Sequence, residues 1–495
     1  MIKCISAFVK KHLNLLTTIV ISICALLVLS MILLAGTYMV NNQQNRLESS
    51  ESVPENILYE LKYGSNFVSQ NFNFNYLLPE FVGMKINDEK MVGSATGEDA
   101  IRFICALISD PLSYAMGSSS VCTRMTGYSA ETEWENFLRS DNYVYLRFIC
   151  DIPDYLLRAF YCNDYINNVS AGDIGSAREL ILVFDDNGDE QYAVRMMTKN
   201  DGGDYFIYQP AAGNTQEKLF NIYMLSNQYR NTAFTEFKFA IDDDSDASLR
   251  LSTSAVVCVA DHAVRNISLT KPVFTLDNSM YDELLRSLSF NPDNLNTYRE
   301  NDDTDIFLES HGTLRVSSNS VIYRRTGEDG PTVSGFLNAG IYEKDNIYQT
   351  VNSLCIAANK LATILGADLF GDAQLKISSI NYSDKVLSVD FALVYSGIPL
   401  TNDGNIIPVI RFDVRDNEII YLHLNSYCVK PSLTVAGHLP QTWYLSLLSD
   451  KIKDENSDNY KTFNEGYMRL IYDIDDFGKE YSPSWSFVSY KSNIN

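Results

Sequence analysis

Residues 13–40 carry no charged side chain, and no other feature of the sequence restricts the possible folds so tightly. The 26 residues 15–40 are enough on their own. Wound as an α-helix at about 1.5 Å per residue, they exceed the roughly 30 Å hydrocarbon core of a bilayer. Lys3, Lys10 and Lys11 precede the stretch, and Asn41, Asn42, Gln43, Gln44 and Asn45 follow it. The positive-inside rule therefore predicts a cytoplasmic tail over 1–12, a transmembrane anchor over 13–40 and an extracytoplasmic body. A cleaved signal peptide fits less well, since its apolar region spans roughly 7–15 residues. Leu34-Ala35-Gly36 is also a weak cleavage site, and Ile23 before Cys24 disfavours a lipoprotein cysteine. The later apolar stretch 101–108 ends at Asp110-Pro111 and is too short to cross. Within the anchor, Thr18, Ser22 and Ser30 recur at multiples of four with Ala25 close by. Small and hydroxyl residues on one face permit close helix contact in lipid, so these four mark a candidate partner-helix face. Such residues also occur in anchors that pack against nothing.

Charge separates the two parts. The whole chain has 39 basic and 62 acidic residues, a formal −23, whereas residues 41–495 hold 36 against 62, or −26. A body this acidic is a poor nucleic-acid binder, because phosphate contacts need a basic face. The 46% hydrophobic and 12% aromatic shares exclude a mostly disordered chain. After a connector over 41–54, the patterning predicts an α+β domain over 55–171, a β-rich domain over 172–290 and a second α+β domain over 291–495.

In the first domain a helix is expected to open at Gly97-Glu98-Asp99 and stop at Pro111, and a second to begin at Ser129 as N-cap. A strand over 142–149 and an apolar helix around 155–161 follow. In the second, strands 180–184 and 192–197 flank Asp185-Asp186-Asn187-Gly188-Asp189, a hairpin signal. The third reads as strands 313–316 and 321–323, then a helix with a stripe of Ile347, Val351, Leu354, Cys355, Ala358, Leu361 and Leu365 closed by Gly366. Strands 375–380 and 386–395 follow. The order then repeats with strands 409–414 and 419–424, a helix opened by Pro440, and strands near 468–472 and 485–488. Two ββαββ passes suggest a duplication with helices packed on antiparallel sheets.

No catalytic motif emerges. G-x-S-x-G, S-x-x-K and Walker sequences are absent, and Gly117-Ser118-Ser119-Ser120 reads as a loop. His262, His311, His423 and His438 are far apart, so no metal site is expected. Asp185, Asn187 and Asp189 match the first positions of a calcium loop, but Glu190 and Met196 stand where Gly and Glu are needed. Seven cysteines lie beyond the anchor without a C-x-x-C pattern, and of these Cys150 and Cys162 are the pair to consider first for a disulfide. No cofactor is expected, and the body reads as non-enzymatic.

Several segments resemble the YycH/YycI accessory proteins of Gram-positive bacteria. The layout of a short basic N-terminus, one membrane helix and a multi-domain exterior is theirs. Gly312-Thr313-Leu314-Arg315-Val316 running into Val321-Ile322-Tyr323 is similar to the family's L-x-V, turn, I-x-Y hairpin. Tyr395-Ser396-Gly397-Ile398-Pro399-Leu400 and the close Gly466-Tyr467 … Ser482-Pro483-Ser484-Trp485 look like two further elements. Motif-level likeness covers about 305–490, and the length is closer to YycH. The resemblance implies a membrane-bound regulator of a WalK-type sensor histidine kinase in cell-wall homeostasis, working with a YycI-like accessory protein. It supplies no catalytic residues, and the sign of regulation varies within the family. A different reading is an extracytoplasmic module that binds cell-envelope fragments on an aromatic-rich face.

Overall fold

The computed structural model describes residues 74–85, 92–94, 101–102, 104–105, 108–116, 121–162, 175–186, 192–209, 235–239, 256–258, 264–274, 277–294, 296–300, 304–337, 347–366, 368–435 and 466–489. Their fold is α+β and dominated by antiparallel sheets. Among them no helix is long and apolar enough to cross a membrane. The expected anchor, its face of Thr18, Ser22, Ala25 and Ser30, and the helix expected at Pro440 all lie outside the described residues.

The first sheet contains β1 (Phe81–Lys85), β2 (Val92–Ser94), β3 (Val121–Met125), β4 (Tyr143–Pro153), β5 (Ser176–Asp186), β6 (Tyr192–Lys199), β7 (Tyr205–Gln209), β8 (Thr235–Phe239) and β9 (Val256–Cys258). Its order is β3-β7-β6-β5-β4-β1-β2-β8-β9, antiparallel throughout. Helices α1 (Ser109–Met116), α2 (Tyr128–Leu138) and α3 (Asp154–Cys162) pack against it. β4 and β5 pair across the boundary expected at 171/172, from Tyr143↔Val183 to Pro153↔Ser176. The β5–β6 hairpin forms as the patterning indicates. Pro111 does not stop a helix but lies in the first turn of α1, where its missing N–H breaks no intrahelical bond. The α2 cap is Gly127 with φ 72°, not Ser129, and Trp134, Phe137 and Leu138 are buried as their spacing requires.

A bulge interrupts the β4–β5 register between Arg147 and Ile152. It carries Cys150 to the second half of the body, where its thiol meets the Ile377 carbonyl at 3.7 Å. Cys150 is thus a buried free thiol and not half of the disulfide considered with Cys162.

A three-stranded sheet follows, with β10 (Arg265–Thr270) between two strands from later in the chain. The large C-terminal sheet begins with β11 (Asn296–Arg299), β12 (Asp305–Glu309), β13 (Gly312–Val316) and β14 (Ser320–Arg325). It continues with β15 (Gln374–Ser383), β16 (Val386–Tyr395), β17 (Ile398–Asn402), β18 (Asn405–Ile406), β19 (Pro408–Arg415) and β20 (Glu418–Asn425). The remaining strands are β21 (Cys428–Val435), β22 (Gly466–Asp473), β23 (Glu480–Tyr481) and β24 (Ser484–Ser489), of which β21 and β23 flank β10. The strands expected in the third region form, and successive ones pair: β13 with β14, β15 with β16, β19 with β20 and β22 with β24. The two ββαββ passes are nevertheless not separate layers. β14 pairs with β20 and β16 with β19, so one hairpin of the second pass inserts between the two hairpins of the first.

Helices α4 (Asn278–Ser287), α5 (Val333–Leu337) and α6 (Ile347–Leu365) complete the body. On α6, Val351, Leu354, Cys355, Ala358, Leu361 and Leu365 are all buried, and each such Leu or Val contributes roughly 1.5–3 kcal/mol of burial energy. The helix ends at Gly366, φ 129°, and touches both β16 and α3, which ties the two halves together. Gly371, φ 61°, is forced by the close approach of β21: a Cβ there would lie 2.1 Å from the Val429 carbonyl oxygen.

Candidate functional site

Two concentrations of charge stand out among the described residues, and the space around each decides its role. The first is internal. Arg147 of β4 and Arg469 of β22 grip the two oxygens of Glu80 at 2.8 and 2.7 Å. Arg178 of β5 and Arg469 both donate to the Tyr467 hydroxyl, the latter at 2.7 Å. The Arg147 guanidinium lies 4.4 Å from the centre of the Tyr467 ring. All five side chains are buried. Burial pushes the Glu80 carboxyl up, but Arg469, Arg147 and Arg178 outweigh it and hold it below its ordinary range. The adjoining voids measure about 20 and 10 Å³, no more than a water or so can occupy. This network fastens β22 to the first sheet. It has no room for a ligand.

The second concentration lines an open groove of about 620 Å³ on the outer face of the C-terminal sheet. Val321 and Tyr323 of β14, Phe412 and Val414 of β19, and Leu422 and Leu424 of β20 point into the core. The intervening residues are turned outward in two cross-strand rows. Arg324, Tyr421 and Asp413 form one row, and Ile322, His423 and Arg411 the other. A bulge between β19 and β20 leaves Ile420 unpaired, so that Ile419 and Leu422 both face inward while Tyr421 faces out. Strict alternation from Ile419 would have buried Tyr421.

Contacts within the groove are specific. Arg411 bonds Asp413 at 3.0 Å and lies 3.9 Å from Asp390 on β16. Arg325 pairs with Glu418 and donates to the Gly327 carbonyl at 2.8 Å. Arg324 is exposed, makes no ion pair among the described residues, and lies 5.6 Å from the centre of the Tyr421 ring. The Tyr421 and His423 ring centres are 6.3 Å apart and inclined at 57°. Burial and the Arg324 charge lower the His423 pKa against a hydrogen bond with Asn425, so the imidazole is neutral at pH 7. Burial raises the Asp390 carboxyl, Asp413 adds to the effect, and Arg411 opposes it.

Of the histidines set aside in the sequence, His423 lines this groove. His311 is a core residue, its Nε2 3.1 Å from the Leu288 carbonyl and its ring against Phe290. His262 and His438 lie outside the described residues, as does the Gly117–Ser120 cluster. Asp185, the first position of the failed calcium loop, pairs with Arg195 across the β5–β6 hairpin. Among the described residues no three His, Cys, Asp or Glu side chains converge as a metal site. Sequence spacing could not have found the groove, since its residues come from strands more than 90 positions apart that pair only in the folded sheet. No known family, curated protein or solved structure matches the chain.

Proposed function

We propose that this chain is a membrane-anchored, non-enzymatic regulator whose partner is a WalK-type sensor histidine kinase. The observation that carries the proposal is the uncharged, lysine-preceded stretch 13–40 joined to an acidic multi-sheet body. The likeness of 305–490 to YycH/YycI proteins supports the choice of partner. Docking can act only through differential affinity: a helix that packs better on one kinase conformation raises the population of that conformation. Thr18, Ser22, Ala25 and Ser30 are the proposed packing face, and a YycI-like accessory protein is a second candidate partner. In this reading the N-terminus is cytoplasmic and the body lies outside.

The test is co-purification from detergent-solubilised membranes. Wild-type protein is expected to retain a sensor kinase, and Ser22→Leu/Ser30→Leu to lose most of it. Equal recovery by both proteins would remove the helix face from the mechanism. Absence of any kinase from the wild-type eluate would remove the partner.

A second reading, binding of an envelope fragment by the body, is favoured by one feature. The sheet-face groove presents two rings and three arginines to solvent.

A further inference from the structure

We propose that the groove between β14, β20 and β19 binds an acidic saccharide, a hydroxyl-rich ring carrying a single carboxylate. This rests on the second reading above and names the ligand class for that site. Ion pairing sets the ligand's charge. Arg411 is occupied by Asp413 and Asp390, and Arg325 by Glu418, which leaves Arg324 as the groove's arginine without an ion pair among the described residues. One guanidinium fork suits one carboxylate, which it can engage bidentately. A polyanion is disfavoured, because Asp413 and Glu418 stand beside any phosphate chain laid across the sheet.

Hydrogen-bond chemistry sets the rest. Arg324 and Arg411 supply donors, Asp413 an acceptor, the Tyr421 hydroxyl one of each, and His423 the ring nitrogen that Asn425 does not engage. Donors and acceptors interleaved at cross-strand spacing match vicinal hydroxyls, which need both. The Tyr421 and His423 rings offer apolar faces for the C–H side of a sugar ring. At about 620 Å³ the groove falls within the roughly 300–1,000 Å³ of small-molecule sites. Its walls are strands whose inward side chains are packed, so little ordering is needed on binding.

Calorimetric titration of the full-length protein in detergent tests this with two probes, the methyl glycoside of galacturonic acid, which carries one carboxylate, and the methyl ester of that glycoside. They share the ring and differ in charge. The acid is expected to bind at least tenfold more tightly than the ester. Arg324→Ala should bring the acid down to the level of the ester and leave the ester unchanged, whereas Tyr421→Ala should weaken both. Arg324 is exposed and makes no ion pair, so a thermal midpoint equal to wild type is expected and confirms folding. Failure of the acid to bind, equal affinity for acid and ester, tighter binding of inorganic pyrophosphate, or an Arg324→Ala protein with unchanged acid affinity would each overturn the proposal. Because kinase co-purification is scored separately, saccharide binding without kinase recovery removes the first reading alone, and the converse removes this one alone.

Discussion

Glu80→Ala is expected to destabilise the body by about 3–5 kcal/mol, the largest effect of any single substitution considered, because it strands Arg147 and Arg469 without their shared counter-charge. The cost comes from desolvation. Both guanidiniums are already buried, and the adjoining voids hold no more than a water or so, too little to solvate two charges. Replacing the whole unit reverses the logic. Glu80→Leu/Arg147→Met/Arg469→Met leaves no buried charge from this unit and is expected to recover at least half of the loss, with Arg178 still donating to Tyr467. Denaturant unfolding followed by tryptophan fluorescence checks both proteins, since Trp485 lines the void beside Glu80. A loss below about 1 kcal/mol for Glu80→Ala would contradict the role assigned to the network.

Asp154 governs the second large effect, a dependence of stability on pH. It opens α3, is buried, and accepts from the Tyr208 hydroxyl. Burial pushes its carboxyl up to about 7, against the Arg158 charge and a hydrogen bond from the Gly175 backbone. With the folded value above the unfolded 3.8, the contribution is fully present below about pH 4 and is lost as pH rises through 7. Between pH 5 and pH 8 the wild type should lose about 2–3 kcal/mol relative to Asp154→Asn, which keeps the acceptor for Tyr208 and cannot ionise. Comparison of the two proteins isolates this group from the general repulsion of the acidic body. Parallel pH profiles would show that Asp154 ionises at its ordinary value.

What the sequence disclosed was local. Strands 313–316 with 321–323, 375–380 with 386–395, and 409–414 with 419–424 were readable because a two-residue period and a short connection fix both partners at once. At the last turn Asp416 and Asn417 adopt φ of 50° and 65°, the left-handed geometry that matches strand twist. The α6 stripe was equally plain. Pairings between distant strands left no such trace. β14 with β20, the parallel pair β17 with β22, and the joining of β4 to β5 across the expected boundary depend on which edges meet in three dimensions. The buried network did leave a signal that composition conceals. Arg147 in Tyr143-Val144-Tyr145-Leu146-Arg147-Phe148 and Arg469 in Tyr467-Met468-Arg469-Leu470-Ile471 each interrupt an apolar strand, which calls for a buried counter-charge. The groove was hidden by the Ile420 bulge, which turns Tyr421 outward against the simple alternation.

The fold thus separates two tasks. A buried ionic network and α6 lock the body, and the open face of the C-terminal sheet carries the groove proposed to bind a saccharide. The proposed regulator would hold that face outside the membrane while its helix engages a kinase within the bilayer.

Crosslinking in native membranes tests this account most directly, with a photoreactive residue at position 22 or 30 and identification of the adduct. The account predicts a sensor histidine kinase as the principal product. Recovery of a wall hydrolase or a transporter in its place, or no adduct at either position, would contradict it.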